Sequence, residues 1–180
     1  MKIKVSSFSS IAFILASLFI LGSCEKHDHT EQENITTIKL LVTGPGFDQT
    51  FTWNDSDGPG GNDPVIDEIT LPASTSGLQC AILVSDESQS PAVDYTVEIS
   101  AENTAHLFTW TVSGGASLTI TGADQDSSGK PFGQITNWAT GQTSTGFLNV
   151  KLYHEPTDKN NSANPGGEVD FDIAFPVKIQ

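Results

Sequence analysis

Two loops concentrate the oxygen ligands that could hold a cation. The segment ADQDSSGKP places Asp124, Asp126 and Ser128 at the first, third and fifth positions of a calcium loop. Gly129 follows at the sixth position, where calcium loops need a residue that lets the chain reverse. The twelfth position is Ile135, so the bidentate glutamate is missing. The loop predicts a weak calcium site, and a hairpin whose side chains satisfy their own backbone is the alternative.

The second acidic loop, WNDSDGPGGNDP, carries Asp55 and Asp57. When Gly60 is placed at the sixth position of a calcium loop, Pro59 falls at the fifth, and proline has no oxygen in its side chain. The loop therefore does not follow the calcium-loop spacing. Asp55 and Asp57 remain candidate ligands for a metal ion whose geometry the spacing does not define.

The histidines offer no recognisable catalytic motif. His27 and His29 lie in the polar segment EKHDHTEQE, which is typical of a flexible tether with at most transient metal binding. His106 and His154 have no motif partner, and the sequence lacks the GxSxG nucleophile elbow of serine hydrolases. His154 ends a strand pattern, which predicts a hydrogen-bonding role there. We predict that the protein is not an enzyme and has no catalytic residues.

Two aromatic residues are candidates for stacking on a sugar ring. Trp138 alternates with Ile135 and shares its face with Thr136, and Tyr153 shares a face with polar neighbours in the next strand. If residues 134–138 and 144–150 form a hairpin, the two rings lie far apart and do not make one platform. Packing of each ring against a loop is the alternative to ligand stacking.

Apolar residues that alternate with polar ones must position these groups. The alternation starts near Asn34 and recurs in short runs separated by glycine- and proline-rich turns. This pattern predicts an all-β fold, a single antiparallel sandwich or barrel-like domain of about eight or nine strands over residues 34–180. A short helix is predicted near 92–104, where strand and helix spacings are both present.

The last strand pattern, EVDFDIAFPVKIQ, is apolar on one face and polar on the other. Phe171 and Ile173 are predicted to face the core, while Asp170 and Asp172 are predicted to face solvent. Cys80 lies on the apolar face of LQCAILVS, which predicts a buried small side chain and not a reactive thiol.

The N-terminus indicates a lipid anchor. Lys2 and Lys4 precede an apolar run that is shorter than the roughly 20 residues a membrane span needs. The run ends in Leu21-Gly22-Ser23-Cys24, which resembles the lipobox of bacterial lipoproteins. By this resemblance residues 1–23 are a signal peptide, Cys24 carries acyl chains such as palmitate, and residues 24–33 form a tether. Several acyl chains together hold a protein stably on a membrane.

The charge of the chain excludes some partners. The chain has eight lysines, no arginine and 22 acidic residues, so loss of Lys2 and Lys4 leaves a net charge of 6 − 22 = −16. Such a chain repels phosphate backbones and lacks the arginine fork that reads bases. We therefore exclude nucleic acid as a partner. Cations, neutral sugars and basic proteins remain compatible with this charge.

Four segments carry a resemblance to a known group: DSDGPGGNDPVI, SGKPFG, LYHEP and NPGGEVDFDIAFPVKIQ. They resemble small acidic outer-membrane lipoproteins of Bacteroidota-type bacteria, whose function is uncharacterised. Some members are labelled as a type 1 periplasmic binding fold, a two-domain α/β architecture that this length and strand pattern contradict. Glu25 after the cysteine resembles the sorting pattern of outer-membrane cargo, and the resemblance supplies no functional residues.

The sequence thus predicts a lipid-anchored protein of the outer membrane that acts as a non-catalytic interaction or structural module. Its partner would be an envelope protein or a glycan. The alternative is a calcium- or carbohydrate-binding accessory protein of an outer-membrane uptake system.

Overall fold

A computed structural model describes residues 34–58 and 60–180. Cys24, the signal peptide and the tether lie outside these residues. The described chain forms eleven strands and one helix. The strands are β1 (Thr37–Gly44), β2 (Phe47–Asn54), β3 (Val65–Ile66), β4 (Ile69–Leu71), β5 (Leu78–Asp86), β6 (Val93–Asp94), β7 (His106–Ser113), β8 (Leu118–Gly122), β9 (Ile135–Thr140), β10 (Ser144–His154) and β11 (Glu168–Ile179), and the helix α1 is Tyr95–Ala101.

The strands form two sheets that pack as an open sandwich. The first sheet has the order β3-β2-β1-β5-β9-β8, with β6 paired to β5, and the second has the order β4-β11-β10-β7. All pairs are antiparallel except β4 with β11. The predicted all-β class is confirmed. The eight longer strands match the predicted number, and the other three have only two or three residues, too few to show an alternating pattern.

Apolar alternation explains the core. The inward face of β5 presents Leu78, Cys80, Ile82 and Val84, and each is at most 1% exposed. The facing strand β10 contributes Leu148, Val150 and Leu152, all 0% exposed. Cys80 is thus a core side chain as predicted, and burial raises the pKa of its thiol, which keeps it protonated.

The predicted short helix is confirmed as α1. Asp94 caps its N-terminus by accepting a hydrogen bond from the Thr96 backbone N–H at 2.9 Å. Ile99 is buried, and the Thr96 hydroxyl bonds to Val84 of β5, so the helix lies against the first sheet.

Residues 134–138 and 144–150 do not form a hairpin with each other. Strand β9 pairs with β5 and β8 in the first sheet, whereas β10 pairs with β7 and β11 in the second. The short link between β9 and β10 therefore passes from one sheet to the other. Strands that adjoin in sequence with alternating patterns can pair or cross between layers, and the alternation alone does not distinguish the two.

Within the described residues, no helix combines the length and the apolar character that a membrane crossing requires.

Candidate functional site

Three polar side chains from three strands converge in the second sheet. His106, His154 and Asp170 each offer one ligand atom, and these atoms lie within 4.8 Å of one another. We call this group the His–His–Asp cluster. The sequence singled out both histidines but gave neither a partner, and it assigned Asp170 to the solvent face.

Strand register brings the two histidines together. His106 begins β7, His154 ends β10, and the antiparallel register pairs them directly. Directly opposed residues point to the same face of a sheet, so the rings meet side by side. Their centroids are 4.9 Å apart and their planes differ by 8°. Both share the face of the core pair Phe108 and Leu152, at the end of the sandwich.

A β-bulge directs Asp170 toward the histidines. Phe171 pairs with Leu152, but the next pair is Val169 with Tyr153, so Asp170 is an extra residue without a partner in the register. Regular alternation would place its side chain opposite Phe171, away from the histidine face. A bulge breaks this alternation and re-aims the side chain, as bulges often do beside functional sites. This corrects the predicted solvent-facing position of Asp170.

A glycine lets β11 start close to the end of β10. Gly167 has φ of +83°, and a Cβ there would collide with the carbonyl oxygens of His154 and Glu155. Only glycine adopts this conformation at such a close approach without strain. The approach brings the beginning of β11, and with it Asp170, beside His154.

Burial favours the uncharged forms of two members of the cluster, His106 and Asp170. The Nδ1 atom of His106 lies 3.1 Å from the carbonyl oxygen of Glu102, which can only accept, so Nδ1–H donates and Nε2 keeps its lone pair. Burial lowers the pKa of His106. Burial also raises the pKa of Asp170 to about 6, although nearby His154 opposes this shift. A bound cation would offset the burial of the Asp170 carboxylate.

Two imidazole nitrogens and a carboxylate oxygen are typical ligands of divalent transition metals. They match the three-ligand sets of zinc sites and the two-histidine, one-carboxylate set of non-haem iron. A backbone carbonyl that holds the second nitrogen of a ligating histidine is also a common feature of such sites. Tetrahedral bonds of about 2.1 Å bring ligand atoms to roughly 3.3 Å from one another. The separations of up to 4.8 Å therefore close by roughly 1.5 Å at most, within reach of side-chain rotation.

The calcium loop predicted at Asp124, Asp126 and Ser128 is satisfied by the protein itself. The Asp124 carboxylate accepts the backbone N–H groups of Gly133 and Ile135, at 2.8 and 2.9 Å. Asp126 accepts the ammonium of Lys159 at 2.7 Å, and the Ser128 hydroxyl bonds to the same carboxylate. The side chains of Lys159 and Asp126 are only 4% and 1% exposed.

Lys159 thus supplies the cation that the sequence predicted to be calcium. Burial raises the pKa of Asp126, but hydrogen bonds from Lys159, Ser128 and the Lys130 backbone outweigh it and hold the pKa well below its usual range. The carboxylate is ionised and fully paired. The calcium site predicted at Asp124, Asp126 and Ser128 is therefore corrected to a structural ion pair, because a lysine about thirty residues away in sequence fills it.

The second predicted loop keeps an open oxygen. Asp55 is 9% exposed, and its Oδ1 atom is buried without a hydrogen-bond partner. Asp57 accepts the backbone N–H of Asn62 at 3.0 Å and its side-chain amide at 2.6 Å. The calcium-loop spacing therefore indicated the loop of Asp126, whose carboxylate is already paired within the protein. It did not indicate the loop of Asp55, which has an unsatisfied carboxylate oxygen.

Trp138 is a core side chain, which excludes it as a residue that stacks on a ligand. Its side chain is 1% exposed and packs edge-on against Trp110, with ring centroids 6.1 Å apart. The indole N–H donates to the Thr136 hydroxyl at 2.8 Å, and the Thr140 hydroxyl donates to the Pro72 carbonyl at 2.6 Å. The threonine-bearing face of β9 therefore points inward because each polar group has a partner inside.

Tyr153 is half-buried in β10, where it pairs with Leu107 and Val169. It lies in the other sheet from Trp138, so the two rings do not form one platform.

A cavity of about 590 Å³ lies between the edges of the two sheets, at β7 and β8. Polar and aromatic side chains line it, among them Thr109, Trp110, Gln125, Thr136 and Asn160. None of the three residues of the His–His–Asp cluster lines this cavity. The cavity and the cluster are separate features of the described domain.

The chain has no match among protein-family models, curated proteins or solved structures.

Proposed function

We propose that the protein is a lipid-anchored envelope protein whose β domain binds a divalent transition metal ion, with zinc as the leading candidate. The observation that carries this proposal is the convergence of His106, His154 and Asp170 within 4.8 Å. Imidazole nitrogen favours zinc, copper, nickel and iron over calcium and magnesium, which prefer oxygen ligands. The acidic charge of the chain also draws cations toward the domain.

The proposal is for binding without catalysis. A catalytic metal needs an open coordination position that faces a space for the substrate. The described cavity lies at the β7 and β8 edges and shares no lining residue with the cluster. We assign the cluster to capture or retention of a metal ion at the membrane surface. The anchor at Cys24 would hold the domain there, in the outer membrane.

Zinc titration by calorimetry tests the metal site. The full-length lipoprotein in detergent carries His27→Ala and His29→Ala, so that the tail histidines cannot contribute. We expect one zinc ion per chain, and we expect Asp170→Asn to lower the affinity at least about tenfold. Asp172→Asn is the matched control, because Asp172 lies on the outer face of the same strand and pairs with Lys151. Equal affinities for the two variants would contradict the proposal.

Membrane fractionation tests the anchor separately. Cells that express the natural chain should place it in the membrane fraction and incorporate an alkyne-labelled palmitate. Cys24→Ala should abolish both results, since the acyl chains attach to that thiol. A Cys24→Ala protein that still carries label and stays with the membrane would show that another group anchors the chain.

The cavity between β7 and β8 supports a second candidate function, the binding of a neutral glycan. Trp110 offers an aromatic surface there, and Thr109, Gln125 and Asn160 offer neutral hydrogen-bonding groups. Oligosaccharide titration of the wild type and of Gln125→Ala tests it. Binding that is weakened by the substitution would support this function, and no heat with any oligosaccharide would contradict it.

A further inference from the structure

We propose a second cation site, for calcium, in the loop that joins β2 to β3, with Asp55 and Asp57 as its carboxylate ligands. We call it the Asp55 site. It is independent of the His–His–Asp cluster, which uses other residues and other ligand atoms.

An unsatisfied buried oxygen marks the site. Asp55 follows directly after β2, and its backbone N–H donates to the Thr36 carbonyl at 2.8 Å, which fixes the residue at the sheet edge. The residue is 9% exposed, and Oδ1 has no hydrogen-bond partner. It is the one buried side-chain polar atom of this kind in the described part of the chain. A buried carboxylate oxygen without a partner is strongly unfavourable, and a missing ion is a common explanation.

A second carboxylate faces the first. Hydrogen bonds from the backbone and side chain of Asn62 lower the pKa of Asp57, and a hydrogen bond with the Asp55 side chain contributes to the same shift. The two carboxyl groups therefore lie within hydrogen-bonding reach of each other. Two carboxylates at close range repel each other unless a proton or a cation lies between them. A divalent cation neutralises both and supplies the missing partner of Asp55 Oδ1.

A third oxygen points at the same loop. The side-chain amide nitrogen of Asn34 donates to Asp86 and Ser88, so its Oδ1 remains available as an acceptor. This oxygen lies close to Gly58, since a Cβ built on Gly58 would be 3.4 Å from it. Gly58 has φ of +76°, a conformation that glycine adopts without strain.

The ligand chemistry favours calcium. Two carboxylates and an amide oxygen are hard ligands, and the site offers no nitrogen or sulfur. Calcium accepts irregular arrangements of six to eight oxygens, whereas magnesium demands near-octahedral geometry and keeps several waters. A loop with three available oxygens leaves room for water ligands and therefore predicts an affinity in the millimolar to submillimolar range, typical of extracellular calcium modules.

Thermal unfolding with and without calcium tests the site. The full-length lipoprotein in detergent is first treated with a chelator. We expect about 5 mM calcium chloride to raise its melting temperature by several degrees, because the ion binds only the folded loop. Asp55→Asn should lose this shift. Asp48→Asn, which removes an exposed carboxylate from β2, should keep it.

Terbium luminescence gives a second readout that does not depend on stability. Trp53 lies two residues before Asp55, close enough to transfer excitation energy to a bound lanthanide. We expect terbium chloride to give luminescence that calcium displaces and that Asp55→Asn lacks. A wild type with neither a calcium-dependent melting shift nor displaceable terbium emission would overturn the proposal. Loss of zinc binding in the Asp170→Asn variant would leave both results unchanged, so the two sites are tested apart.

Discussion

The Asp126–Lys159 pair is buried and the His–His–Asp cluster is partly buried, and the carboxylates of the two groups differ in their partners. Asp126 has an ammonium, a hydroxyl and backbone N–H groups as partners, and its pKa is held low. Asp170 has no such donor set, and burial raises its pKa to about 6. The first group is suited to stability. The second has ligand atoms to offer, and we therefore assign function to it.

The largest effect is expected when the Asp126–Lys159 ion pair is broken. Lys159→Met removes the partner of a carboxylate that is 1% exposed, and an uncompensated buried charge should lower the free energy of unfolding by about 3–5 kcal/mol. Urea denaturation measures it. Lys130→Met is the control, since Lys130 is exposed and belongs to the same loop. A loss below about 1 kcal/mol would mean that the pair does not hold the loop.

The second prediction tests whether the β-bulge brings Asp170 into the His–His–Asp cluster. Deletion of Val169 shortens β11 by one residue and removes the bulge, so Asp170 would pair with Tyr153 and turn to the outer face. Zinc affinity should fall at least about tenfold, as far as for Asp170→Asn. Circular dichroism should show an unchanged β spectrum. Deletion without loss of zinc affinity would show that the bulge does not position the carboxylate.

The third prediction uses the opposite pKa shifts of two carboxylates in chelator-treated protein. The folded pKa of Asp170 is about 6, above the ordinary value of 3.8, so the folded state holds the proton more tightly. Its favourable contribution is present below pH 3.8 and is lost as the pH rises to about 6. Asp170→Asn should therefore stabilise the protein at pH 7, by less than about 1 kcal/mol because the carboxyl is only partly buried.

Asp86 should behave in the opposite way. Hydrogen bonds from Ser88 and Gln89 lower its pKa from 3.8 to about 2, so its contribution is present above pH 3.8 and is lost as the pH falls toward 2. Melting temperatures of the wild type, Asp170→Asn and Asp86→Asn between pH 2 and 8 compare the two slopes. If the effects of Asp170→Asn and Asp86→Asn on the melting temperature changed with pH in the same direction, the opposite pKa shifts of the two carboxyl groups would be contradicted.

The smallest expected effect concerns a surface pair beside the cluster. Lys151 and Asp172 lie 2.7 Å apart on the outer face, with side chains 33% and 47% exposed. Lys151→Met should change the free energy of unfolding by only about 0.5 kcal/mol and leave zinc affinity unchanged. A loss comparable to that of Lys159→Met would mean that burial does not separate these two ion pairs.

The sequence predicted the parts of the fold that depend on local pattern. Alternating apolar residues identified the strands around Cys80 and Leu152, and the mixed spacing near Tyr95 identified the helix. The face of β9 was inverted, because Thr136 and Thr140 are buried through hydrogen bonds that their polarity conceals. Polarity predicts exposure only where the polar atoms lack partners inside the protein.

The candidate site could not be predicted from local pattern. His106 and His154 are separated by 47 intervening residues and meet only through the register of β7 and β10. Asp170 reaches them through a bulge, which shifts the alternation by one residue and leaves no mark in the sequence. Similarly, the spacing of Asp124 and Asp126 resembles a calcium loop, but Lys159 comes from a distant loop. Residues far apart in the chain therefore determine which acidic side chains are paired within the protein and which can bind a ligand.

Anomalous diffraction at the zinc absorption edge locates the metal ion itself. Crystals of the lipoprotein with His27→Ala and His29→Ala would be grown with one equivalent of zinc chloride and measured above and below the edge. We expect one anomalous peak about 2 Å from a ring nitrogen of His106, a ring nitrogen of His154 and a carboxylate oxygen of Asp170. Zinc located only elsewhere, with these three side chains unchanged and unliganded, would contradict it.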